Sequence, residues 1–392
     1  MTTLTKNRVQ SIDLLKGLVM VIMALDHTRD YFHSYSFVFD PTDPKHTSWY
    51  IYFTRWITHY CAPTFSLLAG VSAYLASRRK TKKELSVFLF KRGLWLVFIE
   101  TTIVNFAWFF DVEFRTIGLA TIWSLGVSMM FLAALIHLPG RAILAFSIVV
   151  IFAHDLLDAI HFKGSILWAM LHSADFSTFK ISDNFNLFIG YPVIPWIAVM
   201  SLGYSLGPLY NSDFDVAKRK HIFNSIGIVS ILLFIIIRSI NVYGDPFGWQ
   251  HFDTFSKSMM SFLNPNKYPP SLLYLLMTLG VGFLFLANSE NGRGKVVDFF
   301  CVYGRVPFFY YVLHLYLIHF LAMVVAQFTG YGYQSMLLAD WVSAVPALKG
   351  FGFPLWVVYM VWIGVVVALY PLCNMFDNYK RKHKEKRWLS YL

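Results

Sequence analysis

Ten stretches of this chain stay apolar for long enough to cross a lipid bilayer. A spanning helix needs ~20 predominantly apolar residues. The windows fall at about 12–31, 48–77, 86–109, 117–137, 141–158, 187–208, 221–241, 270–288, 305–327 and 352–374. The connections between them are short, the longest being about 159–186 and 242–269. No internal repeat, low-complexity tract or soluble domain interrupts the series. The expectation is therefore an all-α, polytopic transmembrane bundle of about ten spans, forming one integral membrane domain over residues 1–392. Composition agrees, with 57% hydrophobic and only 14% charged residues. Soluble domains carry roughly 25% charge, and a water-exposed surface could not be built from so little.

The net charge is +11. In a soluble protein that excess would point to nucleic acid; here the positive-inside rule accounts for it. With the N-terminus in the cytoplasm, the inner connections hold Arg78, Arg79, Lys80, Lys82 and Lys83, then Arg141, then Lys218, Arg219 and Lys220, then Arg293 and Lys295. The C-terminal tail adds Lys380, Arg381, Lys382, Lys384, Lys386 and Arg387. Counted near helix ends, 23 of the 33 Lys and Arg fall inside. The outer connections carry Asp40, Asp43, Asp111, Glu113, Asp175, Asp183, Asp245 and Asp253 instead. Both termini are thus expected in the cytoplasm. Lys6 and Arg8 precede the first window and no small-residue cleavage site follows it, which reads as an uncleaved first helix.

Several familiar chemistries have no footing here. Cys61, Cys301 and Cys373 lie in apolar stretches at unrelated spacings, so neither a disulfide framework nor a metal motif is expected. There is no P-loop and no His-x-x-x-His pair, and the run Gly203-Tyr204-Ser205-Leu206-Gly207 lies inside an apolar window rather than at a strand-to-helix turn, so no nucleophile elbow is expected.

What remains is a set of ionisable residues inside apolar windows. Each costs ~2.5–3.5 kcal/mol at the bilayer centre on insertion scales, so each is a functional candidate. The first helix carries Asp13 and Lys16 at its inner end, three apart and on one face. Asp26, His27, Arg29 and Asp30 follow; His27 lies ~21 Å beyond Asp13 at ~1.5 Å per residue. The second helix returns with Arg55 and His59, four apart, and Pro63 is expected to kink it. Asp26, His27, Asp30, Arg55 and His59 should therefore meet at one depth in the outer half. A histidine held by a carboxylate is a usable general base near neutral pH, and Arg55 could hold an anion or a developing oxyanion. The bland reading is a polar knot that fixes helix packing; two histidines, two carboxylates and an arginine together favour function. Arg238, Asn241, Lys267, Tyr268 and His319 fall on the same outer side and are candidates for substrate binding. His314, in the same window as His319, reads equally as a packing histidine. Glu100 needs a partner from a neighbouring helix, and Gly70, Ser72, Ala73, Gly203, Ser205 and Gly207 read as close-packing surfaces.

The opening Arg8-x-x-Ser11-Ile12-Asp13-x-x-Lys16-Gly17, continuing to Asp26-His27, resembles the first helix of the transmembrane acyltransferase superfamily. Other segments are similar to bacterial proteins related to the heparan-α-glucosaminide N-acetyltransferase catalytic domain. They are Thr54 through Pro63, Tyr191 through Trp196, Arg238 through Asp245, Lys267 through Leu273, and Tyr303 through His319. The match covers nearly the whole chain. The resemblance implies acyl transfer from cytoplasmic acetyl-CoA, or another acyl-CoA, to an amine or hydroxyl of a carbohydrate-like acceptor across the bacterial inner membrane. It implies Arg92, Arg305 and Lys16, near inner helix ends, as contacts for CoA phosphates. No metal is expected. In the neighbouring acyltransferase branch the first-helix histidine is the functional one, which corresponds to His27. In the heparan-related enzymes the histidine lies in the following outer loop, where Lys45-His46-Thr47-Ser48-Trp49 is locally similar. The candidates for the base are thus His27, His59 and His46, in that order. A transporter or exporter of a polar solute using the same cluster is the alternative, although it would favour internal repeats and discontinuous helices. Oligomeric state is open, a homodimer included.

Overall fold

The computed structural model describes residues 9–172 and 177–390. Lys6, Arg8 and Asp175 lie outside the described residues. Helix occupies each of the ten apolar windows, and in two of them it is broken. The first window is α1 (Gln10–Phe32). The second splits into α2 (Trp49–Trp56) and α3 (Cys61–Ser77), joined by a 3-10 turn at Ile57–Tyr60. The third is α4 (Lys82–Ile99), a π-helical turn at Glu100–Val104 and α5 (Asn105–Phe109). There follow α6 (Thr121–Leu135), α7 (Gly140–Ala153), the short α8 (Ile166–His172), α9 (Ile194–Leu206) and α10 (Val216–Ile240). The chain closes with α11 (Phe255–Phe262), α12 (Leu272–Asn288), α13 (Lys295–Arg305), α14 (Pro307–Phe328) and α15 (Leu355–Lys382).

By length and composition alone, four helices among the described residues can cross a membrane: Gly140–Ala159, Val216–Ile240, Pro307–Phe328 and Leu355–Lys382. The others fall short for physical reasons. α1 is long enough at 23 residues but carries Asp13, Lys16, Asp26, Arg29 and Asp30. The second and third windows are cut by their 3-10 and π turns. The outward faces of α10 and α15 are apolar: Val229, Leu232 and Ile236 on one, Trp356, Met360 and Val367 on the other, are all more than half exposed. Apolar faces on that scale suit lipid rather than water, and the protein is an integral membrane protein.

The expectation of an all-α chain needs one correction. A three-stranded sheet sits among the connections: β1 (Thr116–Leu119), β2 (Ser177–Ser182) and β3 (Phe185–Ile189), in the order β1-β3-β2. β1 runs parallel to β3, and β2 and β3 form an antiparallel hairpin. Hydropathy had merged β1 and the end of β3 into the helical windows 117–137 and 187–208, because a short apolar run has no period that separates strand from helix.

Inside lipid, helices associate by close packing rather than by hydrophobic burial. Glycine contacts do this here. A Cβ on Gly70 would lie 1.9 Å from the Met200 carbonyl oxygen, and one on Gly203 would lie 1.9 Å from that of Leu67, which locks α3 to α9. Gly17 and Gly304 make the equivalent contact between α1 and α13, where an added Cβ on either would lie 1.8 Å from an opposing carbonyl oxygen.

Candidate active site

The i, i+3 and i+4 spacing in α1 puts Asp26, Arg29 and Asp30 side by side. Arg29 donates to Asp26 Oδ1 at 2.9 Å and to Asp30 Oδ1 at 2.6 Å. Arg55, from the end of α2, donates to Asp26 Oδ2 and to Thr58 Oγ1, both at 2.8 Å. Two carboxylates and two guanidinium groups thus neutralise one another, all largely buried. Such a knot is tolerable away from water because every charge has a partner.

His59 departs from this cluster. The expected shared face assumed 3.6 residues per turn, but the chain tightens to a 3-10 turn over Ile57–Tyr60, where residues three apart, not four, align. Pro63, with no N–H to give, sits in the first turn of α3 just after that break. The His59 ring packs edge-on against Tyr274, its Nδ1 is buried without a hydrogen bond, and it does not line the cavity that holds the other four residues.

His27 is held by a partner that was not expected. Its Nδ1 lies 2.8 Å from His314 Nε2, and His314 Nδ1 lies 2.9 Å from the Tyr310 carbonyl oxygen. The expected carboxylate restraint is absent because Asp26 and Asp30 are both turned to arginines. Trp108 packs edge-on against the His27 ring, centroids 4.8 Å apart.

His27, Asp26, Asp30 and Arg55 line a cavity of about 140 Å³ together with Lys267, Tyr268, Tyr191, Trp108 and Trp341. Lys267 stands 5.1 Å from the centre of the Tyr268 ring and makes neither hydrogen bond nor ion pair among the described residues. Burial works to raise the Tyr268 phenol, but the charges of Lys267 and Arg55 outweigh it and hold the group below the ordinary tyrosine value. A second, larger cavity of about 350 Å³ is walled mainly by apolar side chains of α1, α3, α4, α6 and α14, with Lys16 and Arg92 among its lining. Lys16 also donates to Ser72 Oγ at 2.8 Å. Met23, Thr121 and Tyr311 line both cavities, so the two adjoin through those three side chains.

The remaining candidates lie elsewhere. Arg238 spends its guanidinium on the carbonyls of Phe247, Ser261, Phe262 and Asn264 and on Asp245 at 3.2 Å. Burial, against the pull of Arg238, pushes Asp245 up to about 6. Asn241, in the left-handed conformation at the end of α10, clasps the backbone of Trp249 in both directions. These two residues fold the connection that delivers Lys267 and Tyr268 and do not line the cavity. His319 points its ring nitrogens at the carbonyls of Ala107 and Met336, at 2.9 and 2.8 Å. His46 is on the surface, 2.7 Å from Asp43. Arg305 is bonded to Asp377 at 2.8 Å, outside the larger cavity. Glu100 finds its partner in backbone: Oε1 accepts from the Ala120 amide at 3.1 Å, at the start of α6. His314, Trp108, Thr121, Tyr311 and Trp341 were not among the expected site residues. Tyr191 was legible as part of a family-like segment, whereas Trp341 comes from a loop with no motif of its own.

Residues 8–243, more than half of the 392-residue chain, match the family described as Heparan-alpha-glucosaminide N-acetyltransferase, catalytic. No curated protein matches the chain.

Proposed function

Because the chain belongs to the heparan-alpha-glucosaminide N-acetyltransferase catalytic family, we propose that it carries an acetyl or similar acyl group from cytoplasmic acyl-CoA to a carbohydrate-like acceptor across the membrane. In this reading the chain crosses the bilayer ten times with both termini cytoplasmic, in the plasma (inner) membrane of a bacterium. The concentration of Lys and Arg in the connections assigned to the inside supports that orientation.

The observation that carries the reading is the junction of two unlike cavities at Met23, Thr121 and Tyr311. The larger one, apolar with Lys16 and Arg92 among its lining, suits an acyl-pantetheine arm reaching in from anionic CoA phosphates. The smaller one, aromatic and charged, suits a polar acceptor that stacks on Trp108, Trp341 or Tyr191. The reacting carbonyl would lie at the junction, beside His27. An acceptor N–H or O–H gives its proton to His27; the new bond to the acyl carbon forms as the C–S bond breaks; His27 returns the proton to the departing thiolate. Lys267 is the cation available for the oxyanion or for an anionic group on the acceptor. Direct transfer needs no covalent enzyme intermediate. Arg55, engaged by Asp26 and Thr58, shapes the cavity instead.

The test is thiol release from acetyl-CoA by the purified protein, with amino sugars and other glycans as acceptors. Release that depends on acceptor and disappears in His27→Ala supports the reading. Failure to bind acetyl-CoA and to release thiol with every acceptor overturns it.

A further inference from the structure

We infer that His314 is the positioning residue of this site, holding His27 in the one tautomer that can act as a base toward the cavity. The inference rests on the acyl-transfer reading above. A carbonyl oxygen only accepts hydrogen bonds, so the 2.9 Å contact with Tyr310 requires the proton of His314 on Nδ1. Neutral His314 then presents a lone pair at Nε2. The 2.8 Å contact with His27 is made only if His27 Nδ1 carries the hydrogen. His27 Nε2 is left as the unprotonated nitrogen, with no hydrogen-bond partner among the described residues, on a ring that lines the smaller cavity. The backbone carbonyl of Tyr310 thus fixes, through one imidazole, the protonation pattern of another.

The geometry is that of an in-plane bond. The two ring planes agree within 4°, and their centroids are 5.0 Å apart, close to the hydrogen bond plus two ring radii. The rings therefore meet edge to edge rather than face to face. His314 is itself fixed, fully buried, with the Tyr310 ring 4.9 Å away. The usual alternative, a carboxylate on the second ring nitrogen, is denied to His27 because Asp26 and Asp30 are bound to Arg29 and Arg55. When His27 takes the acceptor's proton at Nε2, its Nδ1–H bond to His314 persists. His314 has no further acceptor nitrogen to relay through, so the proton stays on the pair until the thiolate takes it.

The test compares three substitutions in acceptor-dependent CoA release. In His314→Gln, an amide oxygen can take the place of Nε2 and keep accepting from His27; kcat should stay within about threefold of the parent. In His314→Leu, volume is kept but the acceptor is lost; kcat should fall by about 10²-fold, the lower end of general acid–base catalysis. KM for acetyl-CoA should be unchanged in both, which a general loosening of the fold would not permit. Should His314→Leu fail to fold, His314→Asn replaces it: its amide is one methylene short, and kcat should fall about tenfold or more below His314→Gln. Wild-type kcat in His314→Leu or His314→Asn, or equal losses in the Gln and the acceptor-deficient variants, would overturn the inference. That failure is separate from failure of the enzyme reading, in which the parent protein itself releases no thiol.

Discussion

The two cavities are built by different means. The larger is walled mainly by regular helix, and apart from Lys16 and Arg92 its lining is mostly apolar. The smaller takes Asp26, His27 and Asp30 from α1 and is completed where regular structure stops: the 3-10 turn after Arg55, the end of α5 at Trp108, the start of α6, and the loops that bring Tyr191, Lys267, Tyr268 and Trp341. Apolar helix can shield a flexible arm without specifying it. Polar recognition needs groups arriving from several directions, and those come from breaks and connections. The contrast matches a donor that is one molecule with a thin arm and an acceptor that must be recognised by shape and polarity.

The sharpest way to break this contrast is at its boundary. His27→Ala should lower kcat by ~10²–10⁴-fold, the usual worth of a general base, with acetyl-CoA binding intact by calorimetry. His59→Ala should leave kcat within a few-fold, since that ring lies off the cavity; the opposite ranking in the same thiol-release assay would exchange the roles of the two histidines. Met23→Trp, at the junction, should crowd the space that the two cavities share. Donor and acceptor should each still bind, while transfer falls about 10²-fold, the cost of slight misplacement of reacting groups.

Smaller effects should separate the two sides. Arg92→Gln should raise KM for acetyl-CoA about tenfold, equivalent to ~1.4 kcal/mol, and leave acceptor KM alone. Lys267→Met should do the reverse. Equal effects on both substrates in either variant would mean that the cavities do not divide donor from acceptor. The smallest expected effect is on stability. Burial and the neighbouring charge of Arg29 hold His33, just past the end of α1, down to about 4. The unfolded chain therefore binds a proton more readily between pH 6.5 and 4. Stability is complete above about 6.5 and is lost as pH falls toward 4. Thermal unfolding in detergent across that range should follow this trend, and His33→Gln should make it shallower.

Much of this was legible in the sequence. Each of the ten apolar windows holds helix, although strand takes the start of two of them, and Gly70 and Gly203 do meet across a helix pair. Asp26, His27, Asp30 and Arg55 were placed together by helical spacing and the alternation of helix direction through a bundle. What spacing could not supply was a change of period. The 3-10 turn at Ile57–Tyr60 turned His59 away, and no residue type there announces it. Nor could it supply partners from distant windows. His27 and His314 are 287 positions apart, and only the packing of α1 beside α14 joins them. Arg238 misled for a related reason: an arginine at a helix end looks available until the loop folds its carbonyls around it.

The wall shared by the two cavities has a bearing beyond catalysis. Under the proposed topology, water from the cytoplasm can enter one cavity and water from outside the other. Among the described residues, only Met23, Thr121 and Tyr311 line both. Those three side chains would then be the thinnest insulation the membrane has at this point. An energised cell would be expected to feel a small residue at Met23 first as a leak of protons, before any change in acyl transfer was noticed.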